Sequence, residues 1–303
     1  MSSKLDEQKL ELSSLINKFT NKDGIHQTEL NSVKLIRFST ISEPLHSIYE
    51  PSVCFIAQGS KIVMYANEIY QYDPNRYLVA SVHMPITGKI TAASRDHPFL
   101  CLQLSFSTLQ ILDILKDMPD SEQNKGISPK ALVVGKSTSA LLDAVIRLVK
   151  LLDEPSSIRV LAPLIISEIL FRILRNEQGE QVKEFAILGS KASSIEKVIK
   201  LINRDYAKTL RVDELAKSIN MSTSSLHAYF KRVTGMSPLQ YQKKIRLQMA
   251  RQLLISDNVN AADVAFEVGY ESPSQFNREY ARLFGSPPIG DIKKIKTNID
   301  IKN

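Results

Sequence analysis

Long apolar runs and cysteines are both scarce in this sequence. No stretch approaches the roughly eighteen consecutive apolar residues that a membrane-spanning helix needs. The first ten residues carry charges where a secretory signal would need an apolar core. Only two cysteines occur, Cys54 and Cys101, which excludes a disulfide scaffold and suits a reducing compartment. We therefore expect a soluble, cytoplasmic protein that does not engage a membrane.

The familiar motifs of catalysis are missing as well. There is no nucleotide-binding loop, no nucleophile elbow and no zincin helix. The two cysteines lie in apolar stretches, which favours buried side chains. A redox sensor is the alternative, but it needs an exposed thiol of low pKa, and the sequence indicates neither. These absences lead us to expect no enzyme activity and no cofactor.

Positive charge is present, and it is concentrated at one end. The formal net charge is +7, of which residues 193–290 contribute +5 and residues 291–303 contribute +2, so residues 1–192 are neutral overall. With 303 residues and 43% apolar content the chain is long enough for two globular domains. A cationic C-terminal domain is expected to meet a polyanion such as DNA.

The N-terminal part is predicted to combine short strands with helices. An amphipathic helix over residues 3–19 precedes strands bounded by turn residues, which suggest a small antiparallel barrel or jelly roll. The strands are expected at 33–38, 53–57, 61–65, 77–81 and 99–106. Helices follow over 140–152 and 160–174, the second with Pro163 in its first turn. The apolar stripe of the first helix fits core packing and subunit pairing equally well.

A duplication dominates the C-terminal part. STSSLHAYFKRVTGMSP at 222–238 recurs without a gap as SPSQFNREYARLFGSPP at 272–288, fifty positions later. Ser222 and Ser272 are suited to cap a helix at its N-terminus, and Gly235 and Gly285 to end it. Each copy therefore predicts one helix with an apolar inner face.

Each copy also follows a shorter predicted helix, at 212–219 and 261–268, which makes two helix-turn-helix units. Ala216 and Ala265 stand where the paired helices would cross. Asn220 and Gly269 stand in the turns, where they tolerate a left-handed backbone. Two such units in one chain can place their second helices in major-groove segments about 34 Å apart, on an asymmetric site.

These residues resemble the AraC/XylS family of bacterial regulators. The resemblance rests on three motifs, IRLQMARQLL at 245–254, VAFEVGYESPSQFNR at 264–278 and GSPP at 285–288. Two departures are Tyr280, where the family usually has Phe, and the lack of a Tyr-Arg pair after Pro288. The stretches 49–61, 72–81 and 84–88 are similar to the family's cupin-like N-terminal domain.

The resemblance implies an α+β protein with a cupin-like antiparallel β-barrel and flanking helices, followed by an all-α domain with two helix-turn-helix units. The expected domains are 1–178 for effector sensing and dimerisation, 179–192 as a linker, 193–291 for DNA binding and 292–303 as a basic tail. It also implies a homodimer formed through N-terminal helices, an unidentified small-molecule effector and, for an activator, RNA polymerase as a partner. Residue types do not decide between activation and repression.

Alignment with the family assigns base-reading roles to exposed positions of the two second helices. Arg pairs well with guanine, and Gln or Asn with adenine, so Arg278 and Gln275 are the strongest candidates. The full set of predicted base readers is Thr223, Ser224, His227, Ala228, Ser274, Gln275, Asn277 and Arg278.

Cations and helix caps nearby are predicted to contact phosphates, which position a protein without reading sequence. Arg246 and Arg251 are embedded in the helix that links the units, where a structural role is the alternative. The predicted phosphate set is Ser222, Lys231, Arg232, Lys243, Lys244, Arg246, Arg251, Ser272 and Arg282.

Two other functions can be formulated. A cupin-type metal enzyme would need two histidines one residue apart, and the five histidines include no such pair. DNA repair by alkyl transfer would need an activated cysteine, and neither cysteine has a cationic motif beside it. A regulator that binds DNA is the function that the sequence favours.

Overall fold

The computed structural model describes residues 3–65, 68–118, 130–187, 191–256 and 260–300. The chain divides into two compact units, Met1–Ser193 and Ser194–Asn303. The first combines β-sheets with helices, and the second is helical.

Two antiparallel sheets form the framework of the N-terminal unit. In the part of the chain that is described, a six-stranded sheet has the order β1-β2-β9-β4-β7-β10 and a four-stranded sheet has the order β3-β8-β5-β6. The strands are β1 Gly24–Gln27, β2 Val33–Phe38, β3 Leu45–Tyr49, β4 Ser52–Gln58, β5 Ser60–Tyr65, β6 Glu68–Tyr72, β7 Arg76–Ala80, β8 Met84–Ala92, β9 Phe99–Ser105 and β10 Leu132–Lys136. The antiparallel α+β architecture expected from the sequence is confirmed.

The larger sheet is covered on both faces. Val33 and Leu35 of β2 are fully buried in a core shared with helices, whereas Lys34 and Ile36 line a cavity on the opposite face. Successive side chains of a strand point to opposite faces, so this alternation divides the sheet into a helix side and a cavity side.

Helices cover the first of these faces. They are α1 Lys4–Phe19, α2 Thr108–Asp117, α3 Ser139–Lys150, α4 Pro155–Leu174 and α5 Gly179–Ile187. Leu141, Val145 and Leu148 of α3 are fully buried in the same core, so the α3 stripe packs within the unit. The position expected for Pro163 was wrong, because α4 begins at Pro155 and Pro163 lies in the helix interior.

The segment expected to be a linker is largely helical. Val182 and Ala186 of α5 are buried in the N-terminal core, so residues 179–187 belong to the folded unit. The remaining residues of the expected linker include 188–190, which lie outside the described residues.

The C-terminal unit contains two helix-turn-helix pairs. Its helices are α6 Lys191–Arg204, α7 Val212–Ser218, α8 Thr223–Thr234, α9 Pro238–Ser256, α10 Ala261–Glu267, α11 Pro273–Phe284 and α12 Pro288–Asp300. The pairs are α7 with α8 and α10 with α11, and α9 connects them. The expected basic tail is instead part of α12 as far as Asp300, and Ile292 is packed in the core of the second pair. Residues 301–303 lie outside the described part.

Candidate DNA-binding surface

The two recognition helices, α8 and α11, begin and end at equivalent positions. The Ser222 hydroxyl accepts a hydrogen bond from the Ser225 amide at 3.2 Å, and the Ser272 hydroxyl accepts one from the Gln275 amide at 3.5 Å. Gly235 and Gly285 end the helices with φ of 67° and 78°, in the left-handed region. The caps and stops predicted from the repeat are confirmed.

The turns within the two pairs are also equivalent. The amide of Met221 donates to the carbonyl of Ala216, and that of Tyr270 to the carbonyl of Ala265, each at 2.9 Å. Both alanines are buried where the helices approach each other. Asn220 and Gly269 take φ of 53° and 90°, a left-handed backbone that asparagine tolerates and that glycine, without a Cβ, adopts freely. Each pair is therefore a helix-turn-helix unit in its backbone as well as in its sequence.

The recognition helices bury one face and expose the other. Leu226 and Phe230 of α8, and Phe276 and Tyr280 of α11, are fully buried. Most of the predicted base readers are exposed, and His227 is half-buried. The exposed ones are Thr223, Ser224, Ala228, Ser274, Gln275, Asn277 and Arg278.

The predicted phosphate contacts fall into two groups. Lys231, Arg232, Lys243 and Arg282 are exposed, as is the cap residue Ser222. Ser272 and Lys244 are half-buried, and burial lowers the pKa of Lys244. These residues remain candidates for phosphate contact.

Arg246 and Arg251 form the second group, because their guanidinium groups bind within the C-terminal unit. Arg246 donates to the carbonyls of Tyr206 and Gly269, each at 2.7 Å, and to that of Lys208 at 2.9 Å. Arg251 pairs with Asp291 through two hydrogen bonds of 2.7 and 2.9 Å. Because these donors are engaged inside the unit, the contacts favour the structural alternative for both arginines.

Glu279 is a residue that the sequence-based assignment missed. Its carboxylate accepts hydrogen bonds from Lys243 at 2.7 Å, Tyr270 at 2.9 Å and Gln275 at 3.3 Å. Burial acts to raise the pKa of Glu279, but these three donors outweigh it and lower the pKa below its usual value. Glu279 thus ties α9 to α11 and holds the amide of a predicted base reader. The spacing of four residues from Gln275 was the available signal.

A cavity of about 470 Å³ lies between the two sheets of the N-terminal unit, and we call it the barrel cavity. Its wall includes residues of β1 to β6, β8 and β9. Cys54 and Cys101 both line it and are buried, on the neighbouring strands β4 and β9. The prediction that the cysteines are buried is confirmed.

Among the described residues, no helix combines the length and the apolar character that spanning a membrane requires. Within the same residues, no group of three or more His, Cys, Asp or Glu side chains is placed to hold a metal ion.

Paired helix-turn-helix units with exposed polar and cationic recognition helices define a DNA-binding protein. The family profile described as the AraC-type transcriptional regulator N-terminus matches residues 29–181, and a helix-turn-helix domain profile matches residues 215–291. The chain therefore belongs to the AraC-type transcriptional regulators. It is a DNA-binding transcription regulator.

Individual relatives agree with this assignment. The lactose operon transcription activator of Staphylococcus xylosus is 25% identical over 241 residues, which cover 79% of this chain and 82% of the relative. The regulator GbdR of Pseudomonas aeruginosa is 31% identical over 131 residues, 43% of this chain and 36% of GbdR. The structure of ToxT from Vibrio cholerae with a bound unsaturated fatty acid has a TM-score of 0.55 at 12% identity, covering 84% and 92% of the chains. That likeness confirms the fold.

Proposed function

We propose that this regulator reads an asymmetric DNA site with α8 and α11, and that sequence preference rests mainly on α11. The observation that supports this is the contrast between two equivalent exposed faces. The outer face of α8 offers Thr223, Ser224 and Ala228, which make short or apolar contacts. The outer face of α11 offers Arg278 and Gln275, which can each form two hydrogen bonds to a single base.

Arg278 is the best candidate for direct readout. Its side chain is exposed, and in the part of the chain that is described no ion pair engages it. Gln275 is held by Glu279, whose carboxylate also binds Lys243. The hydrogen bond to Glu279 would therefore orient Gln275 before DNA binds, whereas Arg278 is available to reach a guanine.

Replacing Arg278 with alanine is expected to relax base preference at one position of the site. A bidentate arginine contact discriminates by about 1–3 kcal/mol, so affinity for the preferred site should fall roughly fivefold to 150-fold. The measurement is selection of bound sequences from a random double-stranded library, followed by titration of the selected site.

Lys231→Ala is the matched control, because Lys231 is an exposed cation of α8 that the proposal assigns to phosphate. It should weaken all sequences alike and reduce the salt dependence of binding by about one phosphate contact. An unchanged sequence preference in Arg278→Ala would overturn the readout assignment.

We also propose that the regulator is a homodimer that pairs through α4. Val160 and Leu164 of this helix are 67% and 65% exposed, and Phe171 is 38% exposed. Their spacing of four and seven residues forms one apolar stripe along the helix. A stripe of this kind on a helix can pack against its own copy about a twofold axis, which makes a second chain the occupant we commit to.

A Leu164→Glu substitution is expected to convert the dimer to monomer, because it places a charge in the middle of the stripe. The check is molar mass by sedimentation equilibrium at micromolar concentration. Leu10→Glu is the control, since Leu10 is 68% exposed on α1 and lies outside the stripe. A wild-type monomer, or a dimer that survives Leu164→Glu, would exclude α4 as the interface.

The barrel cavity supports response to a small-molecule effector. Its volume of about 470 Å³ lies in the range of pockets for small ligands. The ToxT structure of the same fold carries a bound unsaturated fatty acid, and the Staphylococcus relative is named as an activator. We therefore propose an effector-responsive activator that works with RNA polymerase in the cytoplasm, by binding and without catalysis of its own.

A further inference from the structure

Lys61 is a charged residue on the cavity side of the four-stranded sheet. Along β5 it shares a face with the buried side chains Val63 and Tyr65, and it lines the barrel cavity. Gly88 on the neighbouring strand β8 makes room for it. A Cβ at Gly88 would lie 3.0 Å from Cε and 3.5 Å from Nζ of Lys61. The lysine side chain therefore crosses the glycine and extends between the two sheets.

The surroundings of Lys61 contain little negative charge. Its ammonium lies 5.4 Å from the ring centre of Tyr49. Burial acts to lower the pKa of Lys61, but the electrostatic effect of Tyr49, a hydrogen bond with it and the nearby Cys54 and Cys101 side chains raise the pKa by more, so the group is cationic at neutral pH. Among the described residues no carboxylate forms an ion pair with Lys61. The cavity wall has Glu50 as its acidic residue, which is exposed, and Lys34 as a second cation.

Tyr72 provides an independent indication of a ligand. It stands directly opposite Lys61 in the pairing of β5 with β6, so the two side chains share a face of the sheet. Tyr72 is 1% exposed and lines the barrel cavity, and its hydroxyl lies near Tyr49 and Cys54 without forming a hydrogen bond of good geometry to a described residue. A buried hydroxyl without a partner is costly and is normally satisfied.

The remainder of the wall is largely apolar. It is formed by aliphatic and aromatic side chains from both sheets, which would accept a hydrocarbon body. The main ones are Ile36, Phe38, Leu45, Ile48 and Ile90.

We propose that the barrel cavity binds a small organic carboxylate with an apolar body. The carboxylate oxygens accept hydrogen bonds from the Lys61 ammonium and the Tyr72 hydroxyl, and the apolar part packs on the aliphatic wall. An opposite charge on the ligand gives the Lys61 cation the carboxylate partner that it lacks among the described residues. This inference rests on the proposed effector role of the cavity and names the chemistry of the effector.

The test compares octanoate with octanamide, which has nearly the same shape and no charge, by isothermal titration calorimetry on the full chain. The wild type should bind octanoate and bind the amide at least about tenfold more weakly. Lys61→Met, which keeps the length and removes the charge, should weaken octanoate roughly tenfold to a hundredfold and leave the amide unchanged.

Two further variants keep the result interpretable. Lys89→Met removes a cation one residue from Gly88, outside the cavity wall, and should bind octanoate as the wild type does. Tyr72→Phe removes only the hydroxyl and should weaken octanoate several-fold, even if Lys61→Met does not fold. Equal binding of acid and amide, octanoate binding that is indifferent to Lys61 and Tyr72, or no octanoate binding at millimolar concentration overturns the proposal.

Binding of DNA is measured separately, without octanoate. A wild type that selects no sequence contradicts the proposed DNA readout and leaves the octanoate result unaffected. Lys61-dependent octanoate binding that does not change DNA affinity or transcription contradicts the effector role and supports the site.

Discussion

Gly269→Ala is expected to destabilise the C-terminal unit by about 3 kcal/mol or more and to abolish binding to the preferred DNA site. Gly269 has φ of 90°, which an alanine adopts only with strain. A Cβ at this position would also lie 2.0 Å from the carbonyl oxygen of Ala207, so backbone must move. Arg246 donates to the carbonyls of both Gly269 and Ala207, so the displacement would disrupt that arginine cluster too.

Gly285→Ala separates the two causes. Gly285 has φ of 78°, but a Cβ there would meet nothing within 4 Å. Gly285→Ala should therefore lower the free energy of unfolding by about 1 kcal/mol, which is the cost of the backbone strain alone. Urea unfolding followed by the circular dichroism of the helices compares the variants. Equal losses in the two would show that the close approach to Ala207 is not a determinant of stability.

The features of the helix-turn-helix units that could be predicted are local in the chain. A helix cap such as Ser222 acts on an amide three residues away, and a stop such as Gly285 acts within one turn. The duplication displays each of these signals twice. The partners of Arg246 lie at 206–208 and 269, so no spacing around the arginine indicates that its donors are used.

Among the strands, too, those with a local sequence signal could be predicted, and those that depend on distant residues could not. The predicted strands are short runs rich in β-branched or aromatic residues and bounded by turn residues, such as β4, whose residues Ser52 to Ala57 are all buried. β8 was not predicted because Pro85 and Gly88 interrupt its strand pattern. The need for glycine at position 88 comes from the Lys61 side chain, which packs over it from the neighbouring strand β5. The residues that line the cavity could not be predicted for a related reason. A lysine in a strand predicts a solvent-facing position, and only the closure of the two sheets places Lys61 inside.

Asp291→Ala is expected to lower the free energy of unfolding by about 3–5 kcal/mol, because it leaves the buried Arg251 guanidinium without its partner. Arg251 and Asp291 have side chains that are 13% and 8% exposed, and their two hydrogen bonds join α9 to α12. The hydroxyl of Tyr280 donates to the same carboxylate at 2.8 Å. This contact accounts for the tyrosine where the family usually has phenylalanine, and it anchors α12 in a chain that lacks the family's Tyr-Arg pair.

The size of the loss distinguishes an anchor from a surface ion pair. Tyr280→Phe removes one hydrogen bond and should cost about 1 kcal/mol, whereas an exposed pair contributes less. In the double variant Arg251→Met with Asp291→Leu, no charge is left unpaired, so much of the stability should return. Urea unfolding of the three proteins measures this, and DNA affinity should fall in the same order because α12 packs against α11 and α9. A loss below about 1 kcal/mol in Asp291→Ala would mean that water solvates Arg251 and that α12 is held by Ile292 and its apolar neighbours instead.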